Sequence, residues 1–295
     1  MLSPSAASRA LCVDLHTHST ASDGALSPVD LVARAAAGGV TTLALTDHDT
    51  VAGVPEAQDA AVQAGIQLVA GVEISTQWER REIHVVGLGL GEHPVFSQGL
   101  AHQQAQRWRR AERIAGKLAK RGYPGAFEAV AADGQRAPGR AHFARWLVEQ
   151  GAARDFRQVF KRFLGRNGDA WVRADWVSMA AAVRWIHLAG GVAVLAHPFA
   201  YDMTGAWRRR LCEAFVEAGG DGVEVVTGRT TPTQVRDGIG LALRHGLRAS
   251  LGSDFHRDGS GLEPGRLLSL PDAVTPVWSQ VQSATRPTDL SFRSQ

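Results

Sequence analysis

The chain has 295 residues, of which 44% are hydrophobic and 21% charged, and its formal net charge is +3. These values are typical of a soluble globular protein with one large domain or two smaller ones, and no apolar run is long enough to cross a membrane. The first ten residues lack the apolar run of a signal peptide, so we expect a disordered lead, and we expect the last ten to be mobile. Cys12 and Cys212 make no metal-binding or redox spacing, which predicts two reduced core residues in a cytoplasmic protein.

Short β-rich runs alternate with helical patterns along the chain. The predicted strands lie at 11–18, 41–49, 66–75, 82–90, 191–198, 222–228 and 247–256. Their nearly continuous apolar character is typical of strands covered on both faces, as in a parallel sheet or barrel. Helices are predicted from the Ser27–Pro28 cap to Gly38–Gly39, and at 53–64, 205–218, 232–245 and 275–282. The pattern predicts an α/β fold, a distorted seven-stranded (β/α) barrel whose chemistry lies at the carboxyl ends of its strands.

Histidines and carboxylates concentrate at or near these strand ends. The run DLHTHSTASDG at 14–24 follows the first strand, where His16 and His18, two residues apart on an extended backbone, point to the same side. Taken singly, His84 could be a core histidine, and Asp47 or Asp49 could cap a helix. Taken together, the clusters predict a metal site. Their members are His16, His18, Asp23, Asp47, His48, Asp49, Glu73, His84, His197, Asp254 and His256.

The motifs HTH…SDG, TDHDT, GVEIS, the strand with His84, AHP and GSDFH occur in this order along the chain. In this combination the sequence resembles the polymerase-and-histidinol-phosphatase (PHP) family over nearly its whole length. The runs RAHFARWLVEQG at 140–151 and IHVVGLG at 83–89 are similar to one branch of that family. Its members are stand-alone 3′,5′-nucleoside bisphosphate phosphatases and 5′-to-3′ exoribonucleases.

The resemblance implies a PHP-fold barrel with a centre of up to three metal ions. It implies that the first ion is held by His16, His18, Glu73 and Asp254, the second by Glu73, His84 and His197, and the third by Asp23, His48 and His256. A mixed imidazole and carboxylate set suits Mn²⁺, Zn²⁺ or Fe²⁺ better than Mg²⁺, and the family implies Mn²⁺. We expect the neighbouring carboxylates Asp14, Asp47 and Asp49 to orient the ligand imidazoles.

Such a centre predicts hydrolysis of a phosphate ester. Ions about 3.5–4 Å apart can hold a bridging hydroxide at neutral pH and neutralise charge on the leaving oxygen. The sequence has no nucleophile elbow, P-loop or dinucleotide fingerprint in its required context. The resemblance implies removal of the 3′-phosphate of nucleoside 3′,5′-bisphosphates, giving 5′-AMP from adenosine 3′,5′-bisphosphate. It also implies, together with or instead of this activity, trimming of 5′-phosphorylated RNA from 5′ to 3′ with release of nucleoside 5′-monophosphates.

Three alternatives are open from the sequence. A histidinol-phosphate-type phosphatase of the same family would need only one phosphate site. A non-catalytic nucleic-acid-binding module is the second, although degenerate ligand positions would favour it and none is degenerate here. An amidohydrolase fits the HxH motif, but Glu73 stands where a bridging lysine would be expected.

The interval 97–175 is too long for a simple connection between the fourth and fifth strands. We interpret it as an inserted helical cap, which divides the barrel into 11–96 and 176–285. The interval has 16 Lys and Arg against 7 Asp and Glu, a balance of +9 that leaves −6 for the rest of the chain. Solvated helix faces account for part of this charge, but a basic cap above a metal site also favours an anionic substrate.

Two cap segments, 140–150 and 154–164, separate basic from apolar residues at helical spacing. The candidate substrate contacts are Asp23, His48, Arg140, His142, Arg145 and Arg229, with Lys161, Arg162 and Thr227 as further candidates. One hypothesis is that Arg140 and Arg145 hold the 5′-phosphate while the metals act on the 3′-phosphoester. The expected partners are small nucleotides or RNA 5′ ends, and neither a membrane nor an obligate protein partner is inferred.

Overall fold

The computed structural model describes residues 11–132, 137–259, 263–266 and 268–284, so the expected lead and mobile tail lie outside the described residues. Its strands are β1 (Val13–Asp14), β2 (Thr42–Leu45), β3 (Gln67–Trp78), β4 (Arg81–Leu88), β5 (Val177–Ser178), β6 (Val192–Leu195), β7 (Gly222–Thr227) and β8 (Arg248–Gly252). Seven of them follow the order β1-β2-β3-β4-β6-β7-β8, and β5 pairs with β3.

The two ends of this sheet meet, so that the strands form a nearly closed barrel. The amide of Leu15 donates to the carbonyl of Leu251 at 3.2 Å, and the amide of His18 donates to the carbonyl of Phe255 at 3.0 Å. These hydrogen bonds join the chain after β1 to β8 and to the segment that follows it. The predicted fold class, an α/β barrel of seven strands, is confirmed.

Helices cover the outside of the barrel and continue into the cap. They are α1 (Pro28–Ala37), α2 (Val54–Ala64), α3 (Pro94–Ala119), α4 (Ala126–Ala131), α5 (Arg140–Glu149), α6 (Phe156–Val159), α7 (Met179–Leu188), α8 (Gly205–Glu217), α9 (Pro232–His245) and α10 (Trp278–Ala284), with a π-helical turn at Phe160–Leu164. The predicted start of α1 is confirmed, because the hydroxyl of Ser27 accepts from the amide of Asp30 and Pro28 occupies the first turn. No helix in the described ranges is long and apolar enough to span a bilayer.

Strand β4 runs in the opposite direction to its neighbours, which corrects the expectation of a wholly parallel sheet. It is antiparallel to both β3 and β6. Glu79 and Arg80 form the two-residue turn between β3 and β4, with φ of 46° and 62°, as in the hairpin turns that match strand twist. An apolar pattern does not show strand direction, whereas the short Glu79–Arg80 connection determines it. Because β4 is reversed, its first residues lie at the edge of the barrel where the other strands end.

The apolar residues of the described chain form a large cluster in the barrel, a smaller one under helices α1 and α2, and a separate one in the cap. Phe96 and Leu100, in the first turns of α3, pack in the barrel core. Ile114, in the last turns of the same helix, packs with Phe143 and Phe163 of the cap. Helix α3 therefore links the barrel and cap clusters, and the division of the chain at about residues 97 and 175 stays a prediction.

Both cysteines are free. Cys212 is buried in the barrel core, whereas Cys12 is only partly buried and its thiol lies 3.6 Å from the carbonyl of Gly265. The expectation of two core residues therefore holds fully for Cys212 and only in part for Cys12.

Candidate metal centre

The nine residues named as ligands by the resemblance come together at one edge of the barrel. Their side-chain nitrogen and oxygen atoms form four groups, and within each group the atoms lie within 4.8 Å of one another. The groups are His18, Asp23, His48 and His256; His16, Glu73 and His197; His16, His18 and Asp254; and His48, Glu73 and His84. Residues that follow the ends of four strands, Glu73 from the middle of β3 and His84 from near the start of the reversed β4 thus meet in one cluster.

Glu73 lies at the centre of this cluster and is 1% exposed. Its Oε1 lies 2.8 Å from Nδ1 of His84 and 2.9 Å from Nε2 of His197. Its Oε2 lies 3.3 Å from Nε2 of both His16 and His18. Burial alone would raise the pKa of this carboxyl, but the surrounding imidazoles hold it well below its usual range. One carboxylate thus faces two sets of imidazoles through its two oxygens, as a bridge between two ions requires.

Two aspartates complete the cluster on the side away from His84. Oδ1 of Asp23 lies 3.3 Å from Nε2 of His256 and 3.8 Å from Nε2 of His48. Oδ1 of Asp254 lies 3.4 Å from Nε2 of His18. Carboxylates and imidazoles therefore alternate through the cluster, so that a cation at these positions would contact both ligand types.

Several buried atoms of the cluster have no hydrogen-bond partner among the described residues. They include Oδ1 of Asp23, Oε2 of Glu73 and Nδ1 of His48. The last two atoms lie 2.9 Å apart but are not aligned for a hydrogen bond. Buried polar atoms in folded proteins are nearly always paired, so these atoms need another explanation. In addition, Nε2 of His16 and Nε2 of His18 lie 3.1 Å apart. Divalent transition-metal ions would satisfy all of these atoms, and the donor set fits them.

The environment shifts the pKa values of these imidazoles in opposite directions. Complete burial lowers the pKa of His18 to about 3. Burial opposes protonation of His84 and His256 as well. However, the Glu73 carboxylate raises the pKa of His84 to about 10, and Asp23 and Asp254 raise that of His256 to about 10. Without a metal, the last two side chains therefore hold protons at neutral pH, in positions that a cation would take.

The backbone at the cluster permits only small residues at two positions. A Cβ on Gly24 would lie 2.3 Å from the carbonyl oxygen of His18, and a Cβ on Gly252 would lie 2.3 Å from Cβ of His16. Asp254 adopts φ of 54°, in the left-handed region. Such a conformation costs about 1–3 kcal/mol and is concentrated at functional sites. Close backbone approach and local strain therefore both occur where the candidate ligand side chains converge.

Asp14 and Asp47 do not orient imidazoles as expected. Asp14 accepts a hydrogen bond at 2.8 Å from the amide of Ser253, and Asp47 accepts from the hydroxyls of Ser19 and Ser22 at 2.6 Å each. Burial raises the pKa of both carboxyls to about 6. They stabilise the loops that carry the ligands, so the predicted role is corrected from imidazole orientation to loop support.

Asp49 also differs from its expected role, because it connects the barrel to the cap helix α3. Its carboxylate accepts from the amide of Ser75 at 2.7 Å and from Nε of Arg107 at 2.6 Å. Gln103 of the same helix donates to it at 3.1 Å. Arg107, one of the basic residues of the cap interval, is buried. The ion pair links the cap to the strand that carries Glu73.

Glu224, which sequence reasoning missed, takes the orienting role. Its Oε1 lies 2.8 Å from Nδ1 of His16, and its Oε2 accepts from the amide of His197 at 2.6 Å. A carboxylate that holds one imidazole nitrogen leaves the other nitrogen directed at the metal position. The available signal was a lone glutamate inside the apolar strand β7, away from the strand end.

A cavity of about 370 Å³ opens onto the cluster, and we call it the first cavity. It is lined by Asp23, His197, Asp254 and His256 together with Ala141, Arg145, Phe156, Ala200, Thr227, Gly228, Arg229, Ser253 and Arg257. Of the predicted contacts, Arg145, Arg229 and Thr227 are therefore placed beside the cluster. Arg257 was missed, although it directly follows the GSDFH motif. Its guanidinium lies 3.5 Å from the ring centroid of Phe156, and burial together with Arg145 and Arg229 lowers its pKa.

The other cap candidates do not line the first cavity. Arg140 pairs with Glu82 at 3.2 Å and lines a different cavity from Arg145. His142 caps helix α5, because its Nδ1 accepts from the amide of Gly139 at 3.0 Å, and burial lowers its pKa.

The two basic candidates of the π-helical turn contribute to the cap surface. Arg162 donates to the carbonyl of Ala152 at 3.2 Å, whereas Lys161 is exposed.

The chain is similar to known proteins over most of its length. The family profile described as PHP domain matches residues 14–166. A 5′-3′ exoribonuclease of Haemophilus influenzae is 47% identical, covering 90% of this chain and 98% of that protein. A 3′,5′-nucleoside bisphosphate phosphatase of Chromobacterium violaceum is 41% identical, covering 94% and 99%. A solved structure described as an amidohydrolase from Chromobacterium violaceum, with bound sulfate and no metal, is 40% identical, covers 94% and 99%, and has a TM-score of 0.89.

Proposed function

Because the chain belongs to the PHP domain family, we propose that it is a metal-dependent phosphoesterase acting on nucleotides. It removes the 3′-phosphate of nucleoside 3′,5′-bisphosphates and trims 5′-phosphorylated RNA from its 5′ end, releasing nucleoside 5′-monophosphates. The observation that carries this proposal is the cluster of nine potential ligands with its unpartnered buried atoms. One relative is named as a 5′-3′ exoribonuclease and another as a 3′,5′-nucleoside bisphosphate phosphatase. Each matches at least 90% of this chain, which supports the same chemistry.

The residues present fit a centre of up to three divalent ions, for which we propose Mn²⁺, with Zn²⁺ or Fe²⁺ as alternatives. Glu73 would join the ion held by His16 and His18 to the ion held by His84 and His197. The same cluster does not favour an amidohydrolase, because Glu73 occupies the central position where an amidohydrolase would be expected to have a bridging lysine. Bound ions would polarise the phosphoryl group and neutralise charge on the leaving oxygen.

The first cavity would hold the part of the nucleotide that does not react. Arg145, Arg229 and Arg257 line it beside Asp254 and His256. Burial, and after it the guanidinium groups of Arg145 and Arg229, lower the pKa of Arg257, and a bound phosphate would offset the repulsion among these groups. Charge-assisted hydrogen bonds from arginine suit a phosphate well. We therefore assign the 5′-phosphate to this cavity.

The remaining candidates act around that phosphate. Asp23 and His48 lie in the cluster itself, where they would face the reacting phosphoester. Ala141 and Arg145 of α5 line the first cavity, and His142 caps the start of that helix. We propose that Arg140 and His142 position α5 and do not themselves hold the 5′-phosphate, because Arg140 is already paired with Glu82.

The proposal is tested by product analysis with Mn²⁺ added. Adenosine 3′,5′-bisphosphate should yield phosphate and AMP, and a short 5′-phosphorylated RNA should yield nucleoside 5′-monophosphates, with no activity after metal is removed by a chelator. Histidinol phosphate serves as the contrasting substrate. Hydrolysis of histidinol phosphate with neither nucleotide substrate cleaved would instead favour the other phosphatase of the family. Binding of RNA without turnover of any of the three would favour the non-catalytic module.

A further inference from the structure

A second cavity, of about 420 Å³, lies on the other side of the metal centre, where His84 lines it. Arg80, Arg81, Arg140, Arg166 and Trp171 also line it. Ala200, in the loop after β6, lines both this second cavity and the first cavity. The metal cluster is therefore flanked by two basic cavities, which adjoin at this loop. One of them is enough to hold the non-reacting phosphate of a small bisphosphate.

The second cavity carries an excess of positive charge. Four guanidinium groups line it against the carboxylates of Glu82 and Asp202. Glu82 is already paired, since Nη1 of Arg110 lies 3.2 Å from its Oε1 and Nη2 of Arg140 lies 3.2 Å from its Oε2. Arg166 is exposed at the rim of the cavity. A second anionic group could therefore bind here without competing with the first cavity.

The second cavity also offers an aromatic surface. Trp171 lines it and is partly buried, and its backbone carbonyl accepts a hydrogen bond from Nζ of Lys117 at 2.7 Å. This contact fixes the backbone at the indole. An aromatic ring beside guanidinium groups is a combination on which single-stranded nucleic acids bind, because bases stack on the ring while the backbone phosphates follow the positive charge.

We propose that the second cavity binds the RNA chain on the 3′ side of the scissile phosphodiester, while the first cavity holds the 5′-terminal nucleotide. This inference rests on the proposed function and specifies its polymeric substrate. In the reaction, the oxygen of water bonds to phosphorus and the bond from phosphorus to the 3′ oxygen breaks. The 3′ oxygen takes up a proton, and the phosphate stays on the next nucleotide. A bisphosphate ends at that phosphate, whereas RNA continues beyond it and needs a second basic surface.

The test compares two substrates in the metal-loaded enzyme. Arg166→Glu and Trp171→Ala should lower kcat/KM for a 5′-phosphorylated RNA pentamer by about fivefold to twentyfold, because each removes a contact to the nucleotides beyond the cleaved bond. Turnover of adenosine 3′,5′-bisphosphate should stay within about twofold of wild type, because this substrate has no nucleotides beyond the cleaved bond to reach the second cavity. Arg113→Glu, an exposed position on α3 outside both cavities, is the matched control and should change neither rate.

A binding measurement removes the dependence on turnover. Metal-free protein is titrated against the same RNA with a 3′ fluorophore, and anisotropy is followed at several salt concentrations. Arg166→Glu should raise the Kd about fivefold or more and reduce the salt dependence, because fewer phosphate contacts are made. The inference would be overturned if the variants bound and trimmed RNA as well as the wild-type enzyme does, or if they lost equal activity on both substrates. If the wild-type enzyme itself cleaved neither substrate, that result would instead count against the proposed function.

Discussion

Glu73 and His84 face each other across the hairpin of β3 and β4, with the carboxylate Oε1 2.8 Å from the imidazole Nδ1. They are diagonal neighbours, because His84 is paired with Ser75 in the antiparallel register. A parallel connection would place the start of β4 at the opposite edge of the barrel. The two-residue turn at Glu79 and Arg80 reverses the direction of β4. Because of this reversal, His84, near the start of β4, lies beside candidate ligands that follow the ends of other strands.

The central position of Glu73 makes Glu73→Gln the most direct test of the metal centre. A neutral amide cannot hold two dications together, so the variant should keep the fold while losing metal and nearly all turnover. Elemental analysis of protein from Mn²⁺-supplemented medium should give about two or three ions per chain for wild type and less than about one for the variant.

Glu56→Gln, at an exposed position of α2, is the control and should match wild type. A Glu73→Gln enzyme that retained more than about a tenth of the wild-type kcat, equivalent to about 1.4 kcal/mol of barrier, would rule out the bridging role.

Much of the fold was predictable because strand and helix signals are local. The predicted helix 232–245 matches α9, and 205–218 differs from α8 by one residue. The direction of β4 was not predictable from apolarity, because a strand covered on both faces looks the same in either direction. The β5 pairing was also missed, since two residues at Val177–Ser178 leave no periodic pattern.

The nine candidate ligands could be selected from the sequence because histidines and carboxylates are unusual at strand ends and recur there in short motifs. The residues that support them could not. Glu224 reaches His16 only because β7 and β8 complete the barrel beside β1, so that residues 208 positions apart come into contact. Arg257 likewise meets Arg145 only through packing of the cap over the barrel. Tertiary closure creates these contacts, and no local spacing shows them.

Glu224 leads to a second prediction, about metal affinity. Glu224→Gln should preserve folding but weaken metal binding by about tenfold to a hundredfold, because the carboxylate no longer directs the His16 ring. Titration with Mn²⁺ followed by calorimetry measures the change. Glu213→Gln, on the exposed face of α8, should leave the affinity unchanged. Equal affinity in the Glu224 variant and wild type would show that packing alone orients His16.

Metal binding should release protons. Neighbouring carboxylates raise the pKa of His84 and His256 to about 10 against the effect of burial. Both imidazoles are therefore protonated at pH 7 in the metal-free protein, and an ion requires them neutral. The apparent metal affinity should accordingly fall as the pH is lowered from about 8 to 6. Calorimetry in two buffers of different ionisation enthalpy gives the proton count, and metal binding without proton release would contradict the prediction.

The division of the cap arginines between the two cavities predicts how substrate is selected. Arg145 lines the first cavity, so Arg145→Ala should lower kcat/KM by about tenfold to a hundredfold on adenosine 3′,5′-bisphosphate, because a charge-assisted phosphate contact contributes roughly 1.5–3 kcal/mol. The loss should nearly vanish on adenosine 3′-monophosphate, which has no 5′-phosphate. Arg157→Ala, at an exposed cap position, should affect neither substrate.

Arg140→Ala gives the contrasting result that separates this arrangement from a shared phosphate site. Arg140 pairs with Glu82, whose Oε1 lies 3.9 Å from Nε2 of His84. Removing Arg140 leaves that carboxylate with less positive charge beside a proposed ligand, so both mononucleotide substrates should lose activity to a similar extent. If Arg140→Ala lost activity only on the 5′-phosphorylated substrate, Arg140 and Arg145 would hold the same phosphate. Arg140 would then belong to the first cavity and not to the second.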